Sequence, residues 1–324
     1  MGVTDMKEDR RDTTPEAGDG LTAGEADDGC RVDALLSRLV LGMGVRGRRR
    51  FLKEGRALLN GRPVKAGTAV REGDRLEIVP LEVSPSAMPE ARLLARRVGF
   101  CVFFKPALLH TVALAGSGEE ACASLEGQIT GLLGGENCCL LQRLDFATSG
   151  LVCGATDKES ASLFRTAERE GRVKKCYVCL MEGRVTKDVQ VRRRLVSSGG
   201  ATVRALPEDD PDPVRSTFFH PLFSFTEAEC RPEGSRERMI TLAGCVIHRG
   251  FRHQIRAHAA SLGLPLYGDT LYGGKTAGLG LPFYLHHGFL SFAGMSFSVS
   301  PDWELASFIQ KKACKWFTEC ARKD

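Results

Sequence analysis

The sequence predicts an α+β protein: a large sheet-based domain with a few helices, preceded by a small, basic α/β module. Three observations carry this expectation. Short β-like apolar runs recur between residues 98 and 247, separated by turn residues and few helical repeats. Residues 81–92 contain two Pro and little apolar periodicity, so they read as a linker. Upstream of it, helical spacing, a basic run and a hairpin signal are compressed into residues 30–80. A chain of 324 residues is long enough for two separate cores, and 43% hydrophobic with 26% charged residues is ordinary for a globular protein.

Residues 1–29 carry nine Asp/Glu against three Lys/Arg and almost no large apolar side chains. Such a segment cannot bury enough surface to offset its chain entropy, and a disordered acidic tail is expected. Without it, the net charge of +5 becomes a distinctly basic body, which points to an anionic partner such as nucleic acid. No apolar run reaches bilayer length, and the N-terminus fits neither a secretory nor a mitochondrial leader. The expectation is a cytoplasmic protein without a membrane partner, acting as a monomer. Twelve Cys lie largely inside apolar runs, which suits reduced, buried thiols. Cys176-x-x-Cys179 sits in a strand-like run and has no second Cys pair at zinc-finger spacing.

In the module at 30–80, Arg31 to Val40 has helical spacing, and a second short helix is expected to end at Gly55. Asn60-Gly61 marks a hairpin turn, and a turn at Glu72-Gly73 leads into an alternating strand ending near Val79. Between Arg46 and Lys65 there are eight basic residues and one acid, Glu54. A merely solvated face normally mixes both signs, so Arg46, Arg48, Arg49, Arg50, Lys53 and Arg56 are expected to contact the phosphates of RNA. The order of these elements resembles a small RNA-binding module shared by a ribosomal small-subunit protein and several RNA-modifying enzymes.

The large domain is expected over 93–300. Val98 to Phe104 reads as a buried strand stopped by Lys105-Pro106, and a short helix follows near 119–132. Two apolar runs, 138–141 and 151–153, then flank a turn cluster, QRLDFATSG, that carries Asp145. An unpaired carboxylate between buried strands is costly, so Asp145 either caps its own turn or does chemistry. Thr156-x-x-Glu159 matches a capping box for a helix that stops at Gly171. Val173 to Met181 reads as a strand with Lys175 and Tyr177 on one face, and residues 184–214 as a polar surface excursion. Strand signals resume at 217–225 and 240–247, followed by a helix from His253 to Leu262. His248, His253 and His258 are spaced by five, which spreads them over different helix faces; no metal site is expected. Arg256, near that helix start, is suited to pair with a buried carboxylate. Residues 301–324 are expected to form a C-terminal amphipathic helix, with its apolar spacing running from Trp303 to Phe317.

QRLDFATSGL resembles the "RLDxxTSG" signature of the RluA-type pseudouridine synthases. KKCYVCLMEG resembles that family's "K-x-Y" strand, RHQIRAHAASLGLPLYGDTLYGG its HQIR block, and Leu285-His286-His287 its late "LHA". The resemblance implies a mixed, mainly antiparallel central sheet with flanking helices and an active-site cleft. It implies isomerisation of uridine in structured RNA, without a cofactor. By position, Asp145 matches the catalytic aspartate, Tyr177 the tyrosine that stacks on the base, and Arg256 the arginine that pairs with the aspartate. Ile255 matches the residue that packs on the tyrosine, and Arg143 the arginine that enters the vacated base stack. The same motifs place Lys175, His253 and Gln254 among the substrate-binding residues. Gln142 and the Gly250-Phe251-Arg252 triplet depart from the family pattern, where His and Gly-Arg-Thr are usual. Large-subunit ribosomal RNA is the expected substrate. The alternatives are transfer RNA, or a non-catalytic RNA-binding or ribosome-assembly role on the same fold.

Overall fold

The computed structural model describes residues 20–39, 48–49, 52, 57–78, 89–113, 124–197, 202–230, 237–275 and 281–322. The chain divides into two compact units, Met1–Ser86 and Ala87–Asp324. In the first, after β1 (Gly20–Thr22) comes α1 (Val32–Leu35), and β1 with β2 (Ala57–Leu59), β3 (Arg62–Pro63) and β4 (Arg75–Ile78) builds an antiparallel sheet of order β1-β4-β2-β3. The hairpin at Asn60-Gly61 forms as expected, with both residues at positive φ (52° and 73°). Asn60 locks it further, donating to Asp74 Oδ1 at 2.7 Å and accepting from the Arg75 N–H at 2.8 Å. Val32, Leu35, Leu36, Leu52, Ala57, Val70 and Leu76 form the small core.

Composition assigns residues 20–29 to the tail, and here the structure differs. β1 pairs with β4 and Ala23 is buried, because the open edge of β4 supplies backbone partners such as the Asp74 carbonyl, which accepts from Ala23 N–H at 2.8 Å. The second helix, expected to end at Gly55, falls mostly outside the described residues.

The second unit opens with a hairpin, β5 (Arg92–Arg97) and β6 (Phe100–Lys105). The sequence places Val98 in a buried strand; it is instead the fully exposed turn residue beside Gly99. There follow α2 (Leu125–Leu132), β7 (Cys139–Leu140), β8 (Ser149–Ala155), α3 (Lys158–Arg169) and β9 (Lys174–Glu182). The N-cap of α3 is Asp157, whose carboxylate accepts from Ser160 N–H, and not Thr156 as the capping-box reading expects. The stretch expected to be a surface excursion carries β10 (Val189–Val191), β11 (Arg193–Ser197) and β12 (Val203–Asp209). β10 joins the main sheet, and β11 pairs with β12 in a separate hairpin. Next come β13 (Thr217–Thr226), α4 (Glu227–Cys230), β14 (Met239–Ile247) and α5 (Gln254–Ser261). The unit ends with β15 (Leu285–Phe292), β16 (Met295–Ser298) and α6 (Ser307–Arg322), the last starting and ending later than the sequence spacing suggests.

The main sheet has the order β10-β13-β14-β9-β15-β8-β6-β5, with β16 beside β15 and β7 beside β8. Among the described residues, β8 and β15 are the one parallel strand pair, so the sheet is mixed and mainly antiparallel. Alternation along β9 sends Tyr177, Cys179 and Met181 to one hydrophobic cluster and Cys176, Val178 and Leu180 to another. Both faces of the strand are therefore covered, which is why its sequence is apolar almost throughout. The pair Cys176 and Cys179 is divided between the two faces. On the second face, α6 seats Trp316 and Phe317 over Gly244 and Gly288, where an added Cβ would stand 2.4 and 2.1 Å from the rings.

The β8–β15 seam is as tight, and there the neighbour is backbone. Gly150 has φ of +117°, and a Cβ there would lie 2.2 Å from the His287 carbonyl oxygen. The Gly of the Thr-Ser-Gly cluster thus lets the two backbones touch. Across the seam Ser149 Oγ meets His286 Nδ1 at 2.9 Å, while His286 Nε2 donates to the Val299 carbonyl at 3.0 Å. His287 Nδ1 donates to the Leu151 carbonyl at 2.6 Å. Burial lowers the pKa of His286 to about 4 and that of His287 to about 3, despite the opposing carbonyl bonds.

Both imidazoles must be neutral in the folded chain, whereas the unfolded chain binds protons near pH 6.5. Stability is therefore complete above pH 6.5 and falls as the pH drops toward 4 and 3. Urea titrations at pH 7 and pH 4 are expected to differ by about 3 kcal/mol for each of the two histidines. Replacing His286 with Gln should remove about half of that acid sensitivity; an unchanged pH slope would show that the seam is not its source.

Candidate active site

Asp145 sits in the turn between β7 and β8, and the turn is fixed from both sides. Thr111 Oγ1 accepts from Leu144 N–H at 3.0 Å and donates to the Leu144 carbonyl at 2.7 Å. Lys105, fully buried at the end of β6, donates to the carbonyls of Pro106 (2.8 Å), Leu109 (2.7 Å) and Phe146 (3.4 Å). Burial lowers its pKa to about 7, with the nearby Asp145 charge opposing. Three carbonyls around one nitrogen match the three protons of an ammonium. The residues on each side of Asp145 are thus held by their backbones, and its own carbonyl accepts from Thr148 N–H at 3.0 Å.

The side chain of Asp145 meets α5. Arg256 Nη1 donates to Asp145 Oδ2 at 3.0 Å. The opposite edge of the same guanidinium is held in a two-point bond by Asp269, Nε to Oδ2 at 2.7 Å and Nη2 to Oδ1 at 2.9 Å. The Phe283 and Tyr272 rings lie 4.2 and 5.0 Å from the guanidinium carbon. Burial works against the charge of Arg256, yet the bond from Asp269 and the charges of Asp145 and Asp269 keep its pKa above the ordinary value. The Asp269 side chain is 1% exposed and that of Asp145 is 23% exposed. One acid therefore anchors the arginine, and the other faces the solvent-accessible side.

Asp145 Oδ1 has a looser neighbour, His253 Nε2 at 3.7 Å. His253 precedes the first turn of α5 in the left-handed region, with φ of 54°. Burial lowers its pKa, with Asp145 opposing and Arg256 and Arg252 reinforcing. Its Nδ1 lies 2.9 Å from the Tyr272 hydroxyl.

Tyr177 is buried and stacked on His287, with centroids 4.4 Å apart and planes at 16°. Burial raises its pKa strongly, and the Asp145 charge adds to the rise, so the phenol stays protonated. Tyr177, Ile255, Leu144 and Phe283 belong to one apolar cluster, which lines the neighbourhood of Asp145. Arg143, on the Asp145 turn, is exposed.

Two residues that the sequence motifs place among the substrate contacts are otherwise engaged. Lys175 is 2% exposed, and its ammonium is paired with Glu168 of α3. Gln254 uses its whole amide on local structure: Oε1 accepts from Phe251 N–H at 2.9 Å, and Nε2 donates to the Ser216 carbonyl and to Thr217 Oγ1. Thr217 passes the chain of bonds to His258 Nδ1, and His258 Nε2 donates to the Arg193 carbonyl. Both engagements have one cause: period-2 and helical spacing say which face a residue occupies, not which neighbour from another element is already there. In the first unit, Arg48 Nε donates to the Asp33 carbonyl at 2.7 Å and Arg49 Nε to Asp33 Oδ2 at 3.2 Å. Arg46, Arg50, Lys53 and Arg56 lie outside the described residues.

Residues 100–261 match the family model described as RNA pseudouridylate synthase. The chain belongs to this family. The match includes Asp145, Tyr177, His253 and Arg256, and stops before Asp269 and Tyr272. The synthase is 28% identical over 244 residues to an uncharacterized RNA pseudouridine synthase of Aquifex aeolicus, covering 71% of this chain and 72% of that protein. It is 26% identical over 294 residues to ribosomal large subunit pseudouridine synthase C of Escherichia coli strain K12, covering 84% and 87%. In fold it resembles human RNA pseudouridylate synthase domain containing 1, with a TM-score of 0.51, 20% identity, and 70% and 96% of the two chains covered. The synthase is an isomerase that acts on RNA.

Sequence reasoning missed Asp269 and Tyr272 as site residues. The signal available was a second acid only thirteen positions after Arg256, in the same block. Removing Asp269 leaves Arg256 buried with one partner instead of two. Asp269→Ala is expected to lower stability by about 3 kcal/mol in urea unfolding. A loss below about 0.5 kcal/mol would mean that Asp145 and the aromatic neighbours suffice to hold the arginine.

Proposed function

We propose that this synthase converts uridine to pseudouridine in large-subunit ribosomal RNA, with Asp145 as the reacting carboxylate. The observation that carries the reading is the asymmetric setting of Asp145: Oδ2 accepts from Arg256 at 3.0 Å, whereas among the described residues the nearest partner of Oδ1 is His253 Nε2 at 3.7 Å. A carboxylate held by one oxygen keeps its charge and leaves the other oxygen available to the ribose. The reaction breaks the bond from C1′ to N1, turns the uracil, joins C1′ to C5, and moves a proton from C5 to N1. Its electrons balance within the substrate, so it calls for no redox partner and no cofactor.

A uridine in folded RNA must leave its stack first, at a cost of a few kcal/mol. Tyr177 would offset part of that cost by contact with the base; His287 already covers one face of the ring, so the base would use the other. Exposed Arg143, on the same turn as Asp145, would fill the space the base vacates. Ribosomal RNA is favoured by the likeness to large-subunit synthase C over most of both chains, and by the basic module at residues 30–80, which would add phosphate contacts.

Asp145→Asn is expected to reduce turnover by at least about 10³-fold while RNA affinity stays within about threefold. Parallel loss of affinity would make Asp145 a structural residue. Pseudouridine mapping of total RNA from cells with and without the protein should show lost sites in large-subunit ribosomal RNA. Lost sites confined to transfer RNA would overturn the substrate assignment.

A further inference from the structure

We propose that His253 is a positioning residue for Asp145, held by Tyr272 in the tautomer that carries its proton on Nε2. This deepens the reading of Asp145 as the reacting carboxylate and rests on it.

The argument runs from the hydroxyl of Tyr272. It accepts a hydrogen bond from the Val203 backbone N–H at 2.8 Å and lies 2.9 Å from His253 Nδ1. A phenol has one proton to give. Among the described residues, His253 Nδ1 is the acceptor within reach of it. Nδ1 is then the lone-pair nitrogen, and Nε2 carries the N–H. The opposite tautomer would leave the phenol proton unplaced and turn the Nε2 lone pair toward the Asp145 carboxylate, 3.7 Å away. The rings of His253 and Tyr272 meet edge to face, with centroids 5.7 Å apart and planes at 80°, so the imidazole has little freedom to turn.

The consequence falls on Asp145 Oδ1. Arg256 makes a single bond, to Oδ2, which leaves the carboxylate free to swing about it. An N–H dipole aimed at Oδ1 restrains that swing. At 3.7 Å it is too long to be a hydrogen bond, so Oδ1 is oriented without having its lone pairs tied up. The left-handed backbone of His253, at φ 54°, places the imidazole there at the start of α5. The groups facing it are the carboxylates of Asp145 and Asp269, the guanidiniums of Arg252 and Arg256, and the Tyr272 phenol. Val203 and Tyr272 together explain what the β11–β12 hairpin contributes: its backbone N–H fixes which way the phenol points.

The test uses the full-length protein with ¹⁵N-labelled histidine, read by long-range ¹⁵N–¹H correlation, beside turnover on the RNA that pseudouridine mapping identifies. The wild type is expected to show His253 protonated on Nε2, and Tyr272→Phe a mixture of tautomers. Tyr272→Phe keeps the ring beside Arg256, and should lower kcat about tenfold with KM within about twofold. His253→Gln puts an amide N–H where Nε2 stands and should keep most of kcat; His253→Leu should fall at least as far as Tyr272→Phe. In the His253→Gln background, adding Tyr272→Phe should cost nothing further, because an amide has no tautomer to set. A wild-type His253 protonated on Nδ1 overturns the proposal, and so does a Tyr272→Phe loss that persists undiminished in the His253→Gln protein. An active Asp145→Asn protein would instead sink the catalytic reading beneath it. An inactive one, with His253 and Tyr272 variants at wild-type kcat, sinks this inference alone.

Discussion

One guanidinium lies between two carboxylates of unequal exposure, and the rest of the site is arranged around that inequality. Asp269 grips Arg256 at two points from the buried side, and one Nη1–H donates to Asp145 on the open side. A buried arginine with only Asp145 as partner would tend to take both of its oxygens, in the usual two-point geometry. With Asp269 in place, that geometry is already used.

The sheet exists to hold these groups at fixed separation. Asp145 enters from the turn before β8, and Tyr177 from β9. The strand between them, β15, pairs with both, parallel to the first and antiparallel to the second. That seam is made of buried neutral histidines and a glycine whose missing Cβ lets two backbones touch. Lys105 and Thr111 then clamp the turn itself through its main chain. Such a frame is stiff because its bonds are buried and its packing is complete on both faces. The carboxylate it presents needs only small restraints, an arginine on one oxygen and an imidazole edge near the other.

Several elements were legible in the sequence, each through a local rule. The Asn60-Gly61 hairpin follows from the positive φ that such turns require, and β9 and β14 follow from short apolar runs bounded by turn residues. The strands between 184 and 214 were not legible, since polar residues interrupt the stretch, Pro and Asp cluster at its end, and its pairing is decided by β13 and by its own hairpin partner. Residues 20–23 likewise read as tail, although an available strand edge recruits them. Lys175 and Gln254 were assigned to substrate through their motifs, and Glu168, Ser216 and Thr217 already satisfy them.

The sequence by itself determined the residue types that can do this chemistry, the strand period that covers both faces of β9, and the glycine that the central seam cannot do without. It also determined the family. Tertiary structure alone decided which acid anchors Arg256 and which is left open, because Asp145 and Arg256 are 111 positions apart and meet only through the order of strands in the sheet. The physical reason is range: turns, caps and alternation are set within a few residues, whereas the partner of a buried charge is whatever the folded chain brings within 3 Å of it.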